Sequence, residues 1–81
     1  MFYVYNLFST KDKRTYTGYT QDLAARLKQH NEGRVTATKH RIPLKLIYAE
    51  QFQTLGEAKE REKWWKSSTG RRHLKQFFLD L

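Results

Sequence analysis

The sequence predicts a small α/β (α+β) domain in which about three helices pack on a three-stranded sheet, in the order β-β-α-β-α-α. Three observations predict it. Aromatic and branched residues gather in three short runs separated by polar segments, as strands do. Other segments space their apolar residues at helical intervals behind recognisable caps. The chain has 81 residues, enough for one hydrophobic core and no second, so residues 1–81 are expected to form a single unit.

Residues 2–8, FYVYNLF, read as the first strand. Residues 9–13, STKDK, form a polar turn, and residues 14–19 resume a strand composition that ends near Gly18. Two short strands joined this closely make an antiparallel hairpin. A turn centred near Thr10 and Lys11 sets Tyr5 opposite Tyr16 with both phenols on one face. A slip of one residue puts them on opposite faces.

The first helix covers residues 21–31, with Thr20 or Asp22 as N-cap. Leu23 and Leu27 form its apolar stripe, and Arg26 and His30 repeat that i, i+4 spacing alongside. Gly33 is a suitable stop. Residues 32–43 show no sustained period and read as a basic loop closed by Pro43. Residues 44–52, LKLIYAEQF, are the third strand. Thr54 and Glu57 frame a capping box for a helix over 55–67. Residues 67–70, SSTG, should break it, and a shorter helix over 71–79 anchors itself through Leu74, Phe77 and Phe78.

Sixteen Lys and Arg oppose eight Asp and Glu, a formal charge of +8. So dense a positive charge attracts polyanions, and nucleic acid is the favoured partner. The chain has no cysteine, which excludes a disulfide framework and a thiolate metal site. No run approaches the ~18 apolar residues of a membrane helix. The start, MFYVYN, lacks a basic leader and a cleavage site. A cytoplasmic protein without membrane association is expected.

Several side chains are suited to phosphate chemistry, each with an ordinary structural role beside it. Tyr5 and Tyr16 either cover the core or position or deprotonate an attacking water. A free phenol has a pKa near ~10, so base work at neutral pH requires a nearby cation, Arg26 or a metal. Arg26 is either a surface charge or a fork for two phosphate oxygens. His30 either caps the helix or hydrogen-bonds a phosphate and moves a proton. Glu57 is claimed by the cap, and Glu60 lies about 200° around the helix from Glu62. Glu62 shares its side with Ala58 and Trp65, which should face inward. A carboxylate there needs a partner, either a divalent cation, to which its oxygen is a suitable hard ligand, or Arg26. Lys39 and Arg41 in the loop, with Lys63, Lys66, Arg71, Arg72 and Lys75 near the C-terminus, are candidate contacts to a nucleic-acid backbone. Nothing resembles a base-reading pattern.

Taken together the chain resembles the GIY-YIG nuclease superfamily along nearly its whole length. Tyr3-Val4-Tyr5 stands at the first triplet and Tyr16-Thr17-Gly18 at the second. Leu23-Ala24-Ala25-Arg26-Leu27 and His30-Asn31 match the first-helix segment, and Ala58 with Glu62 and the following tryptophan match the glutamate segment. Tyr3 replaces the first glycine, Thr17 replaces the isoleucine, and Tyr19 stands where some relatives carry lysine. The length is similar to the small single-domain members related to the N-terminal domain of the excinuclease C subunit.

The resemblance implies an antiparallel sheet and metal-dependent hydrolysis of DNA phosphodiesters without a covalent intermediate. Carried onto this chain, it implies one divalent ion, magnesium or manganese, held by Glu62. Arg26 would stabilise the pentacovalent phosphate, Tyr5 and Tyr16 would orient or activate water, and His30 would assist. Either tyrosine can be the base. With no attached DNA-binding domain expected, target choice falls to DNA structure, as in repair or processing, or to a protein partner. The competing expectation is a non-catalytic nucleic-acid-binding module on the same scaffold.

Overall fold

The computed structural model describes residues 1–79, so residues 80 and 81 of the expected 1–81 unit lie outside the described residues. The elements are β1 (Phe2–Ser9), β2 (Thr15–Thr20), α1 (Leu23–Asn31), β3 (Leu44–Phe52), α2 (Leu55–Lys66) and α3 (Ser68–Leu74), followed by a 3-10 turn over Lys75–Phe77. The expected order is present. Both strand pairings are antiparallel, and the sheet order is β2-β1-β3.

The central position of β1 explains its composition. A strand covered on both faces cannot alternate apolar with exposed polar residues, and every residue from Val4 to Phe8 is buried. The pleat then sends alternate side chains to different partners. Tyr5 and Leu7 join Leu44, Tyr16, Leu23 and Leu27 beneath α1. Val4 joins Ala58, Trp65 and Leu74 of α2 and α3 on the other face.

The hairpin register differs from the expected one. Tyr5 pairs with Gly18 and Leu7 with Tyr16. The turn lies nearer Lys11 and Asp12, because the Ser9 hydroxyl accepts from both of their N–H groups at 3.2 Å and Lys13 takes the left-handed backbone (φ 62°). The displacement along β2 is two residues. An even shift keeps every side chain on its face, so the two phenols remain neighbours, with ring centroids 6.4 Å apart.

The capping box of α2 is present as expected, Thr54 and Glu57 bonding reciprocally. The end of α2 corrects the expectation: a single residue, Ser67, separates α2 from α3, and α3 begins at Ser68. Ser67 caps both helices, donating to the Trp64 carbonyl and accepting from Gly70 N–H. Gly70 therefore lies inside a helix. It is there because a Cβ would collide with the Trp64 carbonyl oxygen and the Trp65 backbone. The last segment is anchored as expected. Leu74 is buried, Phe77 stacks on Tyr48 and Phe78 stacks on Phe8, each pair with centroids 4.7 Å apart.

Candidate active site

The site is built around the Tyr5 hydroxyl. Asp22 caps α1 by accepting from Ala25 N–H, and Gly33 (φ 76°) ends it. Between these stops Arg26 and His30 project toward β1, one turn apart. Arg26 Nε donates to Tyr5 Oη at 3.4 Å, and Tyr5 Oη lies 2.8 Å from His30 Nε2. The second imidazole nitrogen lies 2.7 Å from Thr38 Oγ1. Because Arg26 supplies a proton to the phenol oxygen, the phenol's own proton is available to Nε2. In that tautomer Nδ1 carries the ring hydrogen and donates it to Thr38. That arrangement pairs every polar group in the chain, as burial requires.

His30 is fully buried, as is Thr38. Burial, with the Arg26 charge beside it, lowers the His30 pKa to about 4, so the ring is neutral at physiological pH. Burial is also the largest influence on Tyr5 and raises its pKa, outweighing the hydrogen bond from Arg26. Arg26 does pull this phenol's pKa down, as the sequence suggests, but burial outweighs it and Tyr5 remains a neutral phenol. Its ring meets His30 edge-on, and so does that of Tyr16, with centroids 5.5 Å and 5.2 Å away.

Gly18 makes this placement possible. A Cβ at this position would stand 2.6 Å from Tyr5 Oη and 2.8 Å from Cζ. The Tyr5 ring lies across the Gly18 backbone and carries its hydroxyl toward the β2 edge. Here the requirement is space, since the Gly18 backbone is ordinary strand.

Glu62 approaches from α2, on the other face. Ala58 and Trp65 are buried as expected, and the Glu62 side chain retains 21% exposure. Its charge reaches Tyr5 and adds to the upward shift of the phenol. Its ion-pair partner is Lys66 at 3.6 Å. The structural alternative of an Arg26 partner is not realised, because Arg26 bonds Tyr5 and Gln29 instead. Four of the five expected side chains thus touch one another, and the fifth lies within electrostatic reach.

A metal at this site would have one protein carboxylate. Among the described residues no three His, Cys, Asp or Glu side chains cluster as a cage. One partly exposed carboxylate, loosely paired to a flexible lysine, fits a hard cation that keeps most of its water ligands, as magnesium does.

The candidate backbone contacts separate into two groups. Lys39, Lys63, Lys66, Arg71 and Arg72 are exposed. Arg41 is engaged: its guanidinium holds the Asp12 carboxylate and donates to the Thr15 carbonyl. One polar residue of the site, Thr38, and the contacts of another, Asn31, escape sequence reasoning. Thr38 lies in an aperiodic loop, and only its contact with His30 reveals it. Asn31 bonds both the N–H and the carbonyl of Leu44, at 2.8 Å and 3.0 Å, tying the end of α1 to the start of β3.

A hydrogen-bonded Tyr–Arg–His set on a β2-β1-β3 sheet between helices is accompanied by a family match. The sequence model of the GIY-YIG catalytic domain matches residues 1–75, and the chain belongs to that nuclease family. Nucleic-acid binding follows from membership, and nucleases of the family typically use a divalent metal. The chain is 42% identical over 71 residues to the UPF0213 protein YazA of Bacillus subtilis (strain 168), covering 86% of this chain and 70% of the relative. It is 43% identical over 70 residues to a UPF0213 protein of Clostridium perfringens, covering 85% and 74%. It is 39% identical over 74 residues to one of Staphylococcus saprophyticus, covering 90% and 89%. No solved structure matches the chain with significance. Among the described residues no helix is long and apolar enough to cross a membrane.

Proposed function

We propose that this protein is a metal-dependent endonuclease that hydrolyses DNA phosphodiester bonds, selecting DNA structure rather than sequence, as in repair or processing. The observation that carries this reading is the Tyr5 hydroxyl bonded to both Arg26 and His30, beside Tyr16 and within reach of the Glu62 charge. A phosphate-binding module has no use for a carboxylate there, because it repels the ligand.

In the reaction, water adds to phosphorus and one ester P–O bond breaks, leaving a phosphomonoester and a hydroxyl. Arg26 uses Nε and Nη1 within the protein, and the rest of its guanidinium donates to a non-bridging phosphate oxygen as charge gathers there. Tyr5 holds that guanidinium in place and has a neutral imidazole behind it. Tyr16 is less buried than Tyr5 and lines a hollow of about 180 Å³, which supports it as the phenol that orients the attacking water. Neutral His30 is a proton acceptor one hydrogen bond behind Tyr5. Glu62 would hold the single Mg²⁺ or Mn²⁺, which when bound supplies Lewis-acid neutralisation of the phosphate. Lys39, Lys63, Lys66, Arg71 and Arg72 supply backbone contacts, and Arg41 braces the loop.

The test is a panel of plasmid, forked and single-stranded DNA incubated with wild type and Glu62→Ala, with magnesium, with manganese and with chelator. Metal-dependent nicking by wild type, lost in the variant while DNA binding persists, is the expected result. Equal cleavage by the two proteins removes the catalytic assignment. Binding without cleavage on every substrate assigns a nucleic-acid-binding module instead.

A further inference from the structure

Two hollows adjoin along the β2 edge. One, about 180 Å³, opens on Tyr16, Lys66 and Arg71. The other, about 510 Å³, is walled by Arg14, Arg41, Arg71 and Lys75, with Asp12 and Phe78. Thr15 and Arg71 line both, so the two form one trough leading away from Tyr16. The larger part lies within the ~300–1,000 Å³ typical of sites for small molecules or single groups.

Its charge is unbalanced. Four cations face one carboxylate, and that carboxylate, Asp12, is already held by Arg41. Arg14, Arg71 and Lys75 are exposed, and none has an ion-pair partner among the described residues. Like charges gathered around a concavity repel one another and focus an attractive field on an anion. The trough also has an apolar wall, Phe78, fixed by its stack on Phe8. An anionic polymer with flat apolar parts matches both features. By contrast, Arg72 faces a different hollow with Thr69, His73 and Gln76.

We propose that the trough is a second phosphate subsite, in which Arg14, Arg71 and Lys75 hold the nucleic-acid backbone flanking the scissile phosphate and Phe78 packs against a sugar or base. It rests on the assignment of cleavage to the Tyr16 and Glu62 edge.

Binding is measured with fluorescein-labelled DNA, single-stranded and duplex, in chelator, using Glu62→Gln as parent so that cleavage plays no part. Arg14→Gln/Arg71→Gln/Lys75→Gln is compared with Lys28→Gln/Arg34→Gln/Lys59→Gln, which removes equal charge elsewhere. The trough variant is expected to bind on the order of tenfold more weakly than the control. Its slope of log affinity against log salt should shrink by about one per lost phosphate contact. Thermal melting confirms that both variants fold. Equal losses in the two triple variants, or no DNA binding by the parent, overturn the subsite. The same trough substitutions with Glu62 intact separate the two proposals. Cleavage that persists at saturating DNA with a raised KM supports the subsite, whereas cleavage unchanged in KM overturns the subsite and leaves the nuclease assignment standing.

Discussion

The α1 side of the sheet and the α2 side reach the same edge in opposite states of completion. On the α1 side Tyr5, His30 and Thr38 are buried and joined in one hydrogen-bonded chain. On the α2 side Glu62 has a single 3.6 Å contact to an exposed lysine, and at the edge between the two sides Tyr16 borders open space. Folding finishes the half that holds the guanidinium and leaves open the half that, in the proposed function, meets metal, water and DNA. Under the proposed reaction, preorganisation of this kind would spare the site rearrangement as charge develops on the phosphate.

The largest expected effect falls on the open half. Glu62→Gln should lower cleavage by on the order of a thousandfold, yet leave stability within about 0.5 kcal/mol, because the side chain is partly exposed and weakly paired. Comparable losses in rate and in denaturant midpoint would erase the contrast between the halves.

The next effect falls on the closed half. Gly18→Ala drives a methyl into the Tyr5 hydroxyl and should cost about 1–3 kcal/mol, read by urea denaturation, with cleavage falling alongside. Since the hydroxyl is the nearest atom at 2.6 Å, Gly18→Ala combined with Tyr5→Phe should cost less than the sum of the two. Strict additivity would mean that Gly18 does not act through Tyr5.

Thr38→Val should cost about 1–2 kcal/mol, by leaving the His30 Nδ1 hydrogen unpaired in a buried place. It should also slow cleavage although Thr38 lies behind the imidazole. A change in stability with no change in rate would make Thr38 purely structural.

An effect confined to acid solution, and absent at neutral pH, is in the pH dependence of stability. His30 is held at about 4 in the fold against an ordinary 6.5. Between those values the unfolded chain takes up a proton that the folded chain refuses, so stability falls as pH drops from 6.5 toward 4 and is unaffected by this group above 6.5. Melting temperatures of wild type and His30→Gln across pH 4–8 check it, with the shallower acid decline expected in the variant.

Much of this arrangement is legible in the residues. Arg26 and His30 are four apart on a capped helix, and that spacing alone aims them together. Ala58 and Trp65 mark the inward side of α2, and Glu62 goes with them. What the sequence does not disclose depends on contacts between distant segments. The hairpin register depends on the Ser9 hydroxyl gathering two backbone N–H groups, which composition does not reveal. The break at Ser67 is narrower than the SSTG run suggests, because Gly70 serves a close approach to Trp64 rather than a helix stop. The direction of the Tyr5 pKa depends on how deeply β1 is buried, a consequence of its central place in the sheet. Arg41 looks like a free loop cation until Asp12 is placed beside it.

The central proposal is that the Glu62 carboxylate, whose charge reaches Tyr5, acts together with the Tyr5–Arg26–His30 group although they come from opposite faces of the sheet. Titration of the isotope-labelled protein with Mn²⁺, following paramagnetic line broadening, tests it most directly. Resonances of Glu62, Tyr16, Tyr5 and Arg26 should broaden first, and Glu62→Gln should abolish the effect. Broadening centred on Asp12 or Glu57, or persisting unchanged in Glu62→Gln, would contradict the account.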